Sequence, residues 1–314
     1  MPATADALEA HRVALTGHCY RMLGSASEAD DAVQETLVRA LKGLARFDGR
    51  ASLRTWLYRI ATHVCLDLIA DRRRVRPIDE GPPGSPDSAL ETRPDAHWLE
   101  PISDARAIPE DASPEQIAWL RQRTRLAFVA AVQFLPPRQR AALLLAEVLD
   151  WSASEIAEVL ETSVPAVNSA LQRARTTLAT RGQQSPPPPP SSEEQTVAER
   201  YGAAFARYDV DALVGMLRAD AVLSMPPFTL WLRGPADIRD WLEGPGCGCR
   251  GSRIQWVQVP GQAAFAQWRA DPAGGFAAWA LVVLDPAGSQ IGAVTSFLDV
   301  GRIFPSFGLP LRLA

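Results

Sequence analysis

One stretch of the sequence places side chains that hydrogen-bond nucleic-acid bases on one face of a helical pattern. Residues 163–176 read SVPAVNSALQRART. The amide and guanidinium groups of Asn, Gln and Arg can make bidentate hydrogen bonds with base edges in the major groove of DNA. The polar face carries Pro165, Asn168, Ser169, Gln172, Arg173 and Thr176. The pattern predicts a helix that reads DNA, and the solvated face of an ordinary surface helix is the alternative.

The residues before this stretch predict how such a helix would be held. Ser152 and Glu155 fit a capping box that starts a short helix over about 153–160. Glu161 and Thr162 form a turn, and Ser163 is the predicted N-cap of the next helix, with Pro165 in its first turn. The inward side of that helix is an apolar stripe of Val164, Val167, Leu171, Ala174 and Leu178. Two helices joined by so short a turn predict a helix-turn-helix.

Length and composition bound the class of protein. The 314 residues, 47% hydrophobic and 22% charged, are enough for two or three globular domains. No apolar run approaches the roughly 20 residues that span a bilayer, and the N-terminus lacks a signal pattern, so we expect a cytoplasmic protein with no membrane association. The four cysteines are too few and too scattered for a disulfide framework or a zinc site, and we expect no metal and no cofactor.

Charge and proline content divide the chain into three modules. Residues 77–113, the connector, carry nine carboxylates against two arginines and many prolines, which predicts a largely irregular acidic linker. Residues 183–192, QQSPPPPPSS, predict a stiff polyproline spacer. The modules are therefore 1–76, 114–182 and 193–314.

The periodicity of apolar residues assigns a structure to each module. The first two read as helical, with one helix over 115–135 and the next ending near Leu149. The third module begins with a helical pattern from 193 to 217. Four strand-like stretches follow, at 253–259, 263–270, 276–285 and 291–299. The prediction is a multidomain chain with two all-α modules and an α+β module.

Two long motifs give the helical modules a family resemblance. YRMLGSASEADDAVQETLVRALKGLARFDGRASLRTWLYRIATHVCLDLIADRRR is followed by LPPRQRAALLLAEVLDWSASEIAEVLETSVPAVNSALQRAR. Together they resemble a sigma factor of the sigma-70 superfamily, in the extracytoplasmic-function (ECF) group that keeps regions 2 and 4. The likeness covers most of residues 1–182. The third module resembles, more loosely, a SnoaL-like (nuclear-transport-factor-2-like) extension, whose fold is a curved sheet wrapped by helices.

The resemblance implies a polymerase-binding surface. The residues DDAVQE match the region 2 surface that docks on the β′ clamp helices of core RNA polymerase, and their i, i+4 spacing puts them on one side of a helix. A solvated acidic face is the alternative. The implied binding residues are Asp30, Asp31, Gln34 and Glu35.

The resemblance also implies a surface that opens and reads the −10 element of promoter DNA. Holding unstacked bases requires aromatic surfaces and cations. The matched residues are Phe47, Asp48, Gly49, Arg50, Ala51, Ser52, Arg54, Trp56, Tyr58, Arg59 and His63, of which Trp56 is equally well explained as core packing. The family commonly has Asn in place of His63, which leaves the base preference open. The run Arg72, Arg73, Arg74 and Arg76 is expected to contact phosphates.

The helix-turn-helix matches region 4, which reads the −35 element. The implied contacts are Ser163, Pro165, Asn168, Ser169, Gln172 and Arg173, and Arg138 and Arg140 are expected to touch phosphate or the polymerase β flap. Many relatives have Gly where this chain has Glu161. If that turn residue has a positive φ, Glu costs about 1 kcal/mol there. Relatives also often have a cation where this chain has Asn168 or Ala170, which predicts a greater dependence on polymerase for affinity.

The connector and the third module have further implied roles. The connector corresponds to the linker that threads toward the polymerase cleft, with Trp98 as an attachment point, or else to a disordered tether. In the third module, Met225, Phe228, Trp231, Trp256, Trp268 and Trp279 are a possible pocket lining, although most are equally explained as core. Carboxylates that could act as bases are Asp220, Asp237, Asp240 and Asp299, without a His partner.

The implied function is a promoter-specificity subunit of RNA polymerase that is regulated by its own third module. We keep three alternatives: a ligand-responsive helix-turn-helix regulator, an enzyme of the third-module fold with an added DNA-binding region, and control by a separate anti-sigma protein. The C-terminal apolar stretch after residue 295 could dock on another module.

Overall fold

The computed structural model of the chain describes residues 5–47, 49, 51–69, 74–181 and 188–314. The chain forms two compact units. The first comprises residues 1–74 and 99–188, and the second comprises residues 75–98 and 189–314. The predicted connector is thus shared between the units, since its first part belongs with the C-terminal module. Among the described residues, none of the helices combines the length and apolar character needed to cross a membrane.

The first unit is all-helical in its described part. Its helices are α1 (Ala5–Glu9), α2 (Arg12–Leu23), α3 (Ala26–Gly43), α4 (Leu53–Leu68), α5 (Asp104–Ala107), α6 (Pro114–Thr124), α7 (Leu126–Gln133), α8 (Pro137–Leu149), α9 (Ala153–Val159) and α10 (Val164–Thr180). Side-chain caps start several of them. Ser25 and Ser52, for example, accept hydrogen bonds from the third backbone N–H of α3 and α4.

Helix α2 is the centre of the first unit. Every residue from Leu15 to Leu23 is buried, as expected of a helix that is surrounded by others rather than lying on a surface. It packs against α3, α4, α5, α7 and α8. Gly24 ends the helix in the left-handed conformation, with φ 73°. The packing of α2 against both N-terminal and C-terminal helices makes the first unit one folded body.

The single helix predicted over 115–135 is wrong. Arg125 has an extended backbone, with φ −56° and ψ 140°, and separates α6 from α7. Its buried guanidinium donates a hydrogen bond to the Pro188 carbonyl at 3.0 Å. The two helices also occupy different environments, since α7 is almost wholly buried while most of α6 is exposed. Apolar residues recur at helical spacing on both sides of Arg125. Their periodicity alone therefore could not reveal the break between α6 and α7.

The second unit is an α+β fold. Its helices are α11 (Ser192–Arg207), α12 (Val210–Gly215), α13 (Pro235–Glu243) and α14 (Val300–Ser306). Its strands are β1 (Leu217–Ser224), β2 (Trp231–Arg233), β3 (Arg253–Val259), β4 (Gln262–Ala270), β5 (Phe276–Ala287), β6 (Gln290–Phe297) and β7 (Arg312–Leu313). The four predicted strands are confirmed as β3 to β6. The predicted helix over 193–217 is two helices, and sequence analysis missed β1 and β2.

The strand order is β2-β1-β6-β5-β4-β3, with β7 added to β5. The β1–β6 pair is parallel and the other pairs are antiparallel. Side chains such as Phe265 and Val282 form a core with Tyr201 and Phe205 of α11. On the opposite face Trp268 packs against Phe304 of α14, with ring centroids 5.1 Å apart. The C-terminal stretch therefore docks on the sheet of its own module.

Candidate nucleic-acid and polymerase interfaces

The predicted helix-turn-helix is formed by α9 and α10. Ser152 and Glu155 make the reciprocal capping box that starts α9, with N–H···O distances of 2.8 and 3.3 Å. Glu161 lies in the turn with φ 51°, in the left-handed region. Ser163 caps α10 by accepting a hydrogen bond from the Ala166 N–H at 3.4 Å. The turn therefore has the positive φ that was expected to strain a non-glycine residue.

The two faces of α10 differ in exposure. Val167, Leu171, Ala174 and Leu178 are buried, and α10 packs against α8 and α9. Val164 departs from the predicted stripe and is 39% exposed. On the other face the side chains predicted to contact the −35 element are exposed or half-buried: Ser163, Pro165, Asn168, Ser169, Gln172 and Arg173. Arg173 donates a hydrogen bond to Ser169 Oγ at 2.6 Å, so its guanidinium lies on this face.

Arg140 is not a phosphate contact, contrary to the prediction. It is only 2% exposed. Its guanidinium donates to Gln133 Oε1 at 2.7 Å, to the Gln133 carbonyl at 2.8 Å and to the Met22 carbonyl. Arg138 lies one half-turn earlier, is exposed, and donates to the Leu160 carbonyl at 3.1 Å. Of the two, only Arg138 is accessible to a phosphate.

Buried polar contacts join α2 to α7 and α8. Gln133 Nε2 donates to the Arg21 carbonyl at 3.3 Å, and Arg21 Nη1 donates to Thr124 Oγ1 at 2.9 Å. Desolvation lowers the pKa of both Arg21 and Arg140 to about 10. Sequence analysis missed this network, because Arg140 and Met22 lie 118 positions apart. No local motif indicates such a pair.

The loop before α4 and the start of that helix hold part of the predicted −10 surface. The rings of Phe47 and Trp56 are 5.0 Å apart and half-buried. Gly49 has φ 72°, and Ala51 beside it is exposed. Ser52 is exposed and accepts the Thr55 N–H at 3.0 Å. Asp48, Arg50, Arg72 and Arg73 lie outside the described residues.

Tyr58 is a core residue, which corrects its assignment as a ring for unstacked bases. It is 2% exposed, and its hydroxyl donates to the Ala14 carbonyl at 3.3 Å. Its ring packs edge-on against His18 at 5.2 Å. Burial raises the pKa of Tyr58. The reason is its place on the inward face of α4, next to the buried Leu57 and one turn before Ala61.

The polar side chains of α4 remain accessible. Arg54 and Arg59 are exposed, and the Arg54 guanidinium lies 5.6 Å from the centre of the Tyr58 ring. Arg59 donates to Glu161 Oε1 in the helix-turn-helix turn at 3.1 Å. His63 is half-buried and hydrogen-bonded through Nδ1 to the Arg59 carbonyl at 3.0 Å.

Arg74 is buried and ion-paired, which corrects the prediction that it contacts phosphates, whereas for the half-buried Arg76 that contact stays a prediction. Arg74 is 4% exposed and lies 3.0 Å from Glu28 and 3.7 Å from Glu100. Arg76 pairs with Asp79 at 3.0 Å. Glu100 also caps α3, since its carboxylate accepts the Ala26 N–H at 2.9 Å. Sequence analysis missed Glu100, which binds the start of α3 although it lies 74 positions after Ala26.

The four residues of α3 predicted to bind polymerase all face solvent. Ala29, Val33, Thr36 and Leu37 are on the inward face and buried. The outward face carries Asp30, Asp31, Gln34 and Glu35, each exposed. Glu35 pairs with Arg39 at 2.7 Å and Asp30 pairs with Arg106 of α5. The predicted polymerase-binding residues thus form one continuous surface, with two of them held by arginines.

The six aromatic and Met residues proposed to line one pocket in the third module are not brought together. Met225 and Phe228 belong to the core between sheet and helices, whereas Trp268 packs on the opposite face of the sheet. Trp256 and Trp279 are 43% and 41% exposed. Trp231 is 3% exposed, and its indole N–H donates to the Gly81 carbonyl at 3.1 Å.

The carboxylates considered as bases lie apart as well. Asp220 pairs with Arg218 at 2.9 Å and Asp299 with Arg302 at 3.4 Å. Asp237 and Asp240 are on α13, half-buried and exposed respectively. Over the described part of the chain, no group of three or more His, Cys, Asp and Glu side chains is arranged to hold a metal ion.

Three family models match the chain in the order that its elements indicate. Sigma-70 region 2 matches residues 7–75, Sigma-70 region 4 matches residues 125–178, and the SnoaL-like domain matches residues 198–291. Two sigma regions followed by a SnoaL-like module define a two-region sigma factor with a C-terminal extension. The predicted fold class, two all-α sigma modules and an α+β module, is confirmed.

Individual relatives agree with this class. The ECF RNA polymerase sigma factor SigG of Mycobacterium tuberculosis is 43% identical over 311 residues, covering 96% of this chain and 82% of that protein. The ECF sigma factor SigW of Bacillus subtilis is 29% identical over 178 residues, covering 56% of this chain and 87% of that protein. The crystal structure of the Mycobacterium tuberculosis ECF sigma factor SigJ has the same fold, with a TM-score of 0.62 at 21% identity and 98% coverage of both chains.

The chain belongs to the ECF RNA polymerase sigma factors. It is a transcription initiation factor and not an enzyme, and its partners are core RNA polymerase and promoter DNA. The prediction made from the two long motifs is therefore confirmed at the level of family, function and main partners.

Proposed function

We propose that α10 reads the −35 element, that α4 with the preceding loop holds the −10 element, and that the outward face of α3 docks on the polymerase clamp helices. We also propose that the C-terminal module modulates promoter recognition and that the protein works in the cytoplasm. The exposure pattern of α10 is the observation that supports the proposal most strongly. Its apolar residues are buried in the first unit while its base-reading side chains are exposed together.

The chemistry of α10 supports major-groove reading. Asn168, Gln172 and Arg173 lie at i, i+4 and i+5 on the exposed side, and each can donate to base acceptors. The N-terminal turn carries Ser163 and Pro165, which are small and let the helix end approach the DNA closely. Arg175, by contrast, is exposed but paired with Glu147 of α8 at 3.1 Å, so its guanidinium is turned toward α8 and away from Arg173.

Fewer residues than predicted are placed to hold unstacked bases of the −10 element. Phe47 and Trp56 supply two adjacent ring faces that are partly open to solvent. Arg54 and Arg59 supply exposed cations on the same helix. Since Tyr58 is buried, the aromatic surface is formed by Phe47 and Trp56.

The α3 face supports docking on a basic partner surface. Four exposed polar or acidic residues lie within two helical turns, opposite an inward side that is apolar except for Thr36. The ion pair of Asp30 with Arg106 and that of Glu35 with Arg39 are solvent-accessible, so they can be exchanged for partner cations at little energetic cost.

Run-off transcription with purified core polymerase tests the proposal. We expect the full-length chain to direct initiation from a promoter with matched −35 and −10 elements. Comparison with residues 1–182 tests modulation by the C-terminal module, and equal activity of the two proteins would contradict it. Adding a small-molecule pool or a co-expressed anti-sigma protein to the same assay tests the other two predicted kinds of regulator.

A further inference from the structure

The first part of the connector is bound to the C-terminal module. Residues 81–93, the docked segment, lie along residues 227–231 of that module. The Gly84 N–H donates to the Trp231 carbonyl at 2.9 Å and the Thr229 N–H donates to the Glu91 carbonyl at 2.9 Å. The Arg93 N–H donates to the Pro227 carbonyl at 3.1 Å. Thr92 and Phe228 form an antiparallel bridge.

These contacts lie beside the edge of the sheet and include one isolated antiparallel bridge. Strand β2 ends the strand order and is paired with β1 on one side. The docked segment contacts the first residue of β2 and the loop that leads into it. An exposed sheet edge binds extended chain through its backbone groups, and pockets for single side chains add selectivity. The indole N–H of Trp231, bound to the Gly81 carbonyl, is such a side-chain contact.

Gly84 of the docked segment lies so close to the module that it leaves no room for a side chain. A Cβ on Gly84 would lie 2.5 Å from Leu230 Cδ1, and Leu230 belongs to the buried core of the module. A Cβ on Gly81 would meet nothing within 4 Å. A larger residue at 84 would therefore have to displace the buried Leu230 side chain, whereas residue 81 has room for a side chain.

The docked segment is held mainly by backbone hydrogen bonds. All of its residues are exposed except Gly84, Pro86 and Ser88, which are half-buried. Its one large apolar side chain, Leu90, is 45% exposed. A segment that buries so little apolar surface belongs to the least stable parts of a fold and can be released without unfolding the module.

Docking also shortens the connector. Val75 and Trp98 form a parallel bridge, and the Val75 N–H donates to the His97 carbonyl at 3.1 Å. The 24 residues from 75 to 98 thus form a loop with adjacent ends. Fully extended, they would span about 80 Å. These residues lie in the chain between the region 2 and region 4 matches, which read separate DNA elements.

We propose that the edge formed by residues 227–231 is a docking site for residues 81–93, and that the docked segment is released when the chain engages polymerase and promoter. The C-terminal module then regulates initiation by shortening the connector while the segment is docked and lengthening it on release. This inference deepens the modulation proposed above and rests on it. The partner of this surface is residues 81–93 of the same chain, a proline- and glycine-rich segment with a turn at 85–88.

Hydrogen–deuterium exchange of the full-length chain tests the release. We expect peptides that cover 81–93 and 227–231 to be protected in the free protein, and to exchange at least ten-fold faster after core polymerase and promoter DNA are added. Unchanged protection in a complex that transcribes would overturn the proposal and leave the sigma function intact. A chain that opens no promoter would overturn both.

A matched pair of variants separates docking from general damage. Gly84→Val should clash with Leu230, expose the docked segment in the free protein, and raise promoter opening several-fold. Gly215→Val makes the same change at the end of α12, outside the docking contact, where a Cβ would meet nothing within 4 Å, and should keep the wild-type exchange and activity. Faster exchange in Gly84→Val without any change in transcription would overturn the regulatory role. Equal exchange in both variants and the wild type would overturn docking itself.

Discussion

Glu161, in the turn of the helix-turn-helix, accepts a hydrogen bond at 3.1 Å from Arg59 of the helix proposed to hold the −10 element. The pair joins the two regions that are proposed to read the −10 and −35 elements, both within the first unit. Its side chains are 66% and 48% exposed, so the pair contributes little to stability, on the order of 0–1 kcal/mol. The same glutamate has φ 51°, which a Glu adopts only under strain.

Replacing Glu161 with Gly and with Ala separates these two effects. Both variants lose the pair with Arg59, but only Gly relieves the left-handed backbone. We expect Glu161→Gly to be more stable than Glu161→Ala by about 1 kcal/mol in urea unfolding of the full-length chain. An Ala variant as stable as the Gly variant would show that the turn relaxes to a negative φ without loss.

Replacing Arg140 tests the buried network that joins α2 to α7 and α8. In Arg140→Met the carbonyls of Met22 and Gln133 lose their donors inside the core, so we expect a loss of about 2–4 kcal/mol. Arg138→Met is the matched control, because that side chain is exposed and makes one hydrogen bond, and its loss should stay below about 1 kcal/mol. Chemical denaturation of both variants measures the difference. Equal losses would mean that the Arg140 network adds nothing beyond a surface contact.

His18 predicts an acid-dependent loss of stability. Burial lowers the pKa of His18 to about 3, from the ordinary histidine value of 6.5. Between these pH values the unfolded chain binds a proton at His18 and the folded chain does not. The free energy of unfolding therefore falls as pH drops below 6.5, by up to about 1.4 kcal/mol per pH unit from this group.

The variant His18→Gln checks this dependence. Gln cannot titrate, and it can still hydrogen-bond Thr62, which lies 3.0 Å from His18 Nε2. We expect the variant to show a shallower fall in stability between pH 6.5 and 4, and a curve parallel to the wild type between pH 7 and 8.5. Parallel curves over the whole range would contradict the assignment of the acid sensitivity to His18.

The sequence predicts best what depends on neighbours within one or two turns. Ser152 with Glu155, Ser163 with Pro165, and the strand-like stretches of β3 to β6 are local patterns, and the structure has all of them. The misjudged residues depend on distant partners. Arg74 and Arg140 look like members of basic clusters until Glu100 and Met22 are brought beside them by the fold. Tyr58 is similar, since only the packing of α2 decides which side of α4 is inside.

The docked segment shows a second limit of prediction from the sequence. Its composition, rich in proline and acidic residues, predicts irregular chain, and it contains no regular strand or α-helix in the structure. What composition could not show is that irregular backbone has hydrogen-bonding groups that a sheet edge can use. Trp231, predicted as a pocket residue, is the clearest case, because its indole is bound to the connector.

Two arginines on α10 give the sharpest test of promoter reading. Arg173 lies on the exposed base-reading face, and Arg175 is paired with Glu147 of α8. Each change to Ala removes one positive charge from the same helix, so long-range attraction to DNA falls equally. We expect Arg173→Ala to weaken −35-dependent promoter binding by about 1–3 kcal/mol and to reduce discrimination at one base position.

Arg175→Ala should change promoter affinity less than three-fold and leave base discrimination intact. The measurement is promoter binding by full-length chain with core polymerase, over a set of −35 variants and at several salt concentrations. If both variants lose affinity equally for every −35 sequence, then Arg173 acts only through charge, and α10 positions the polymerase without reading bases at that residue.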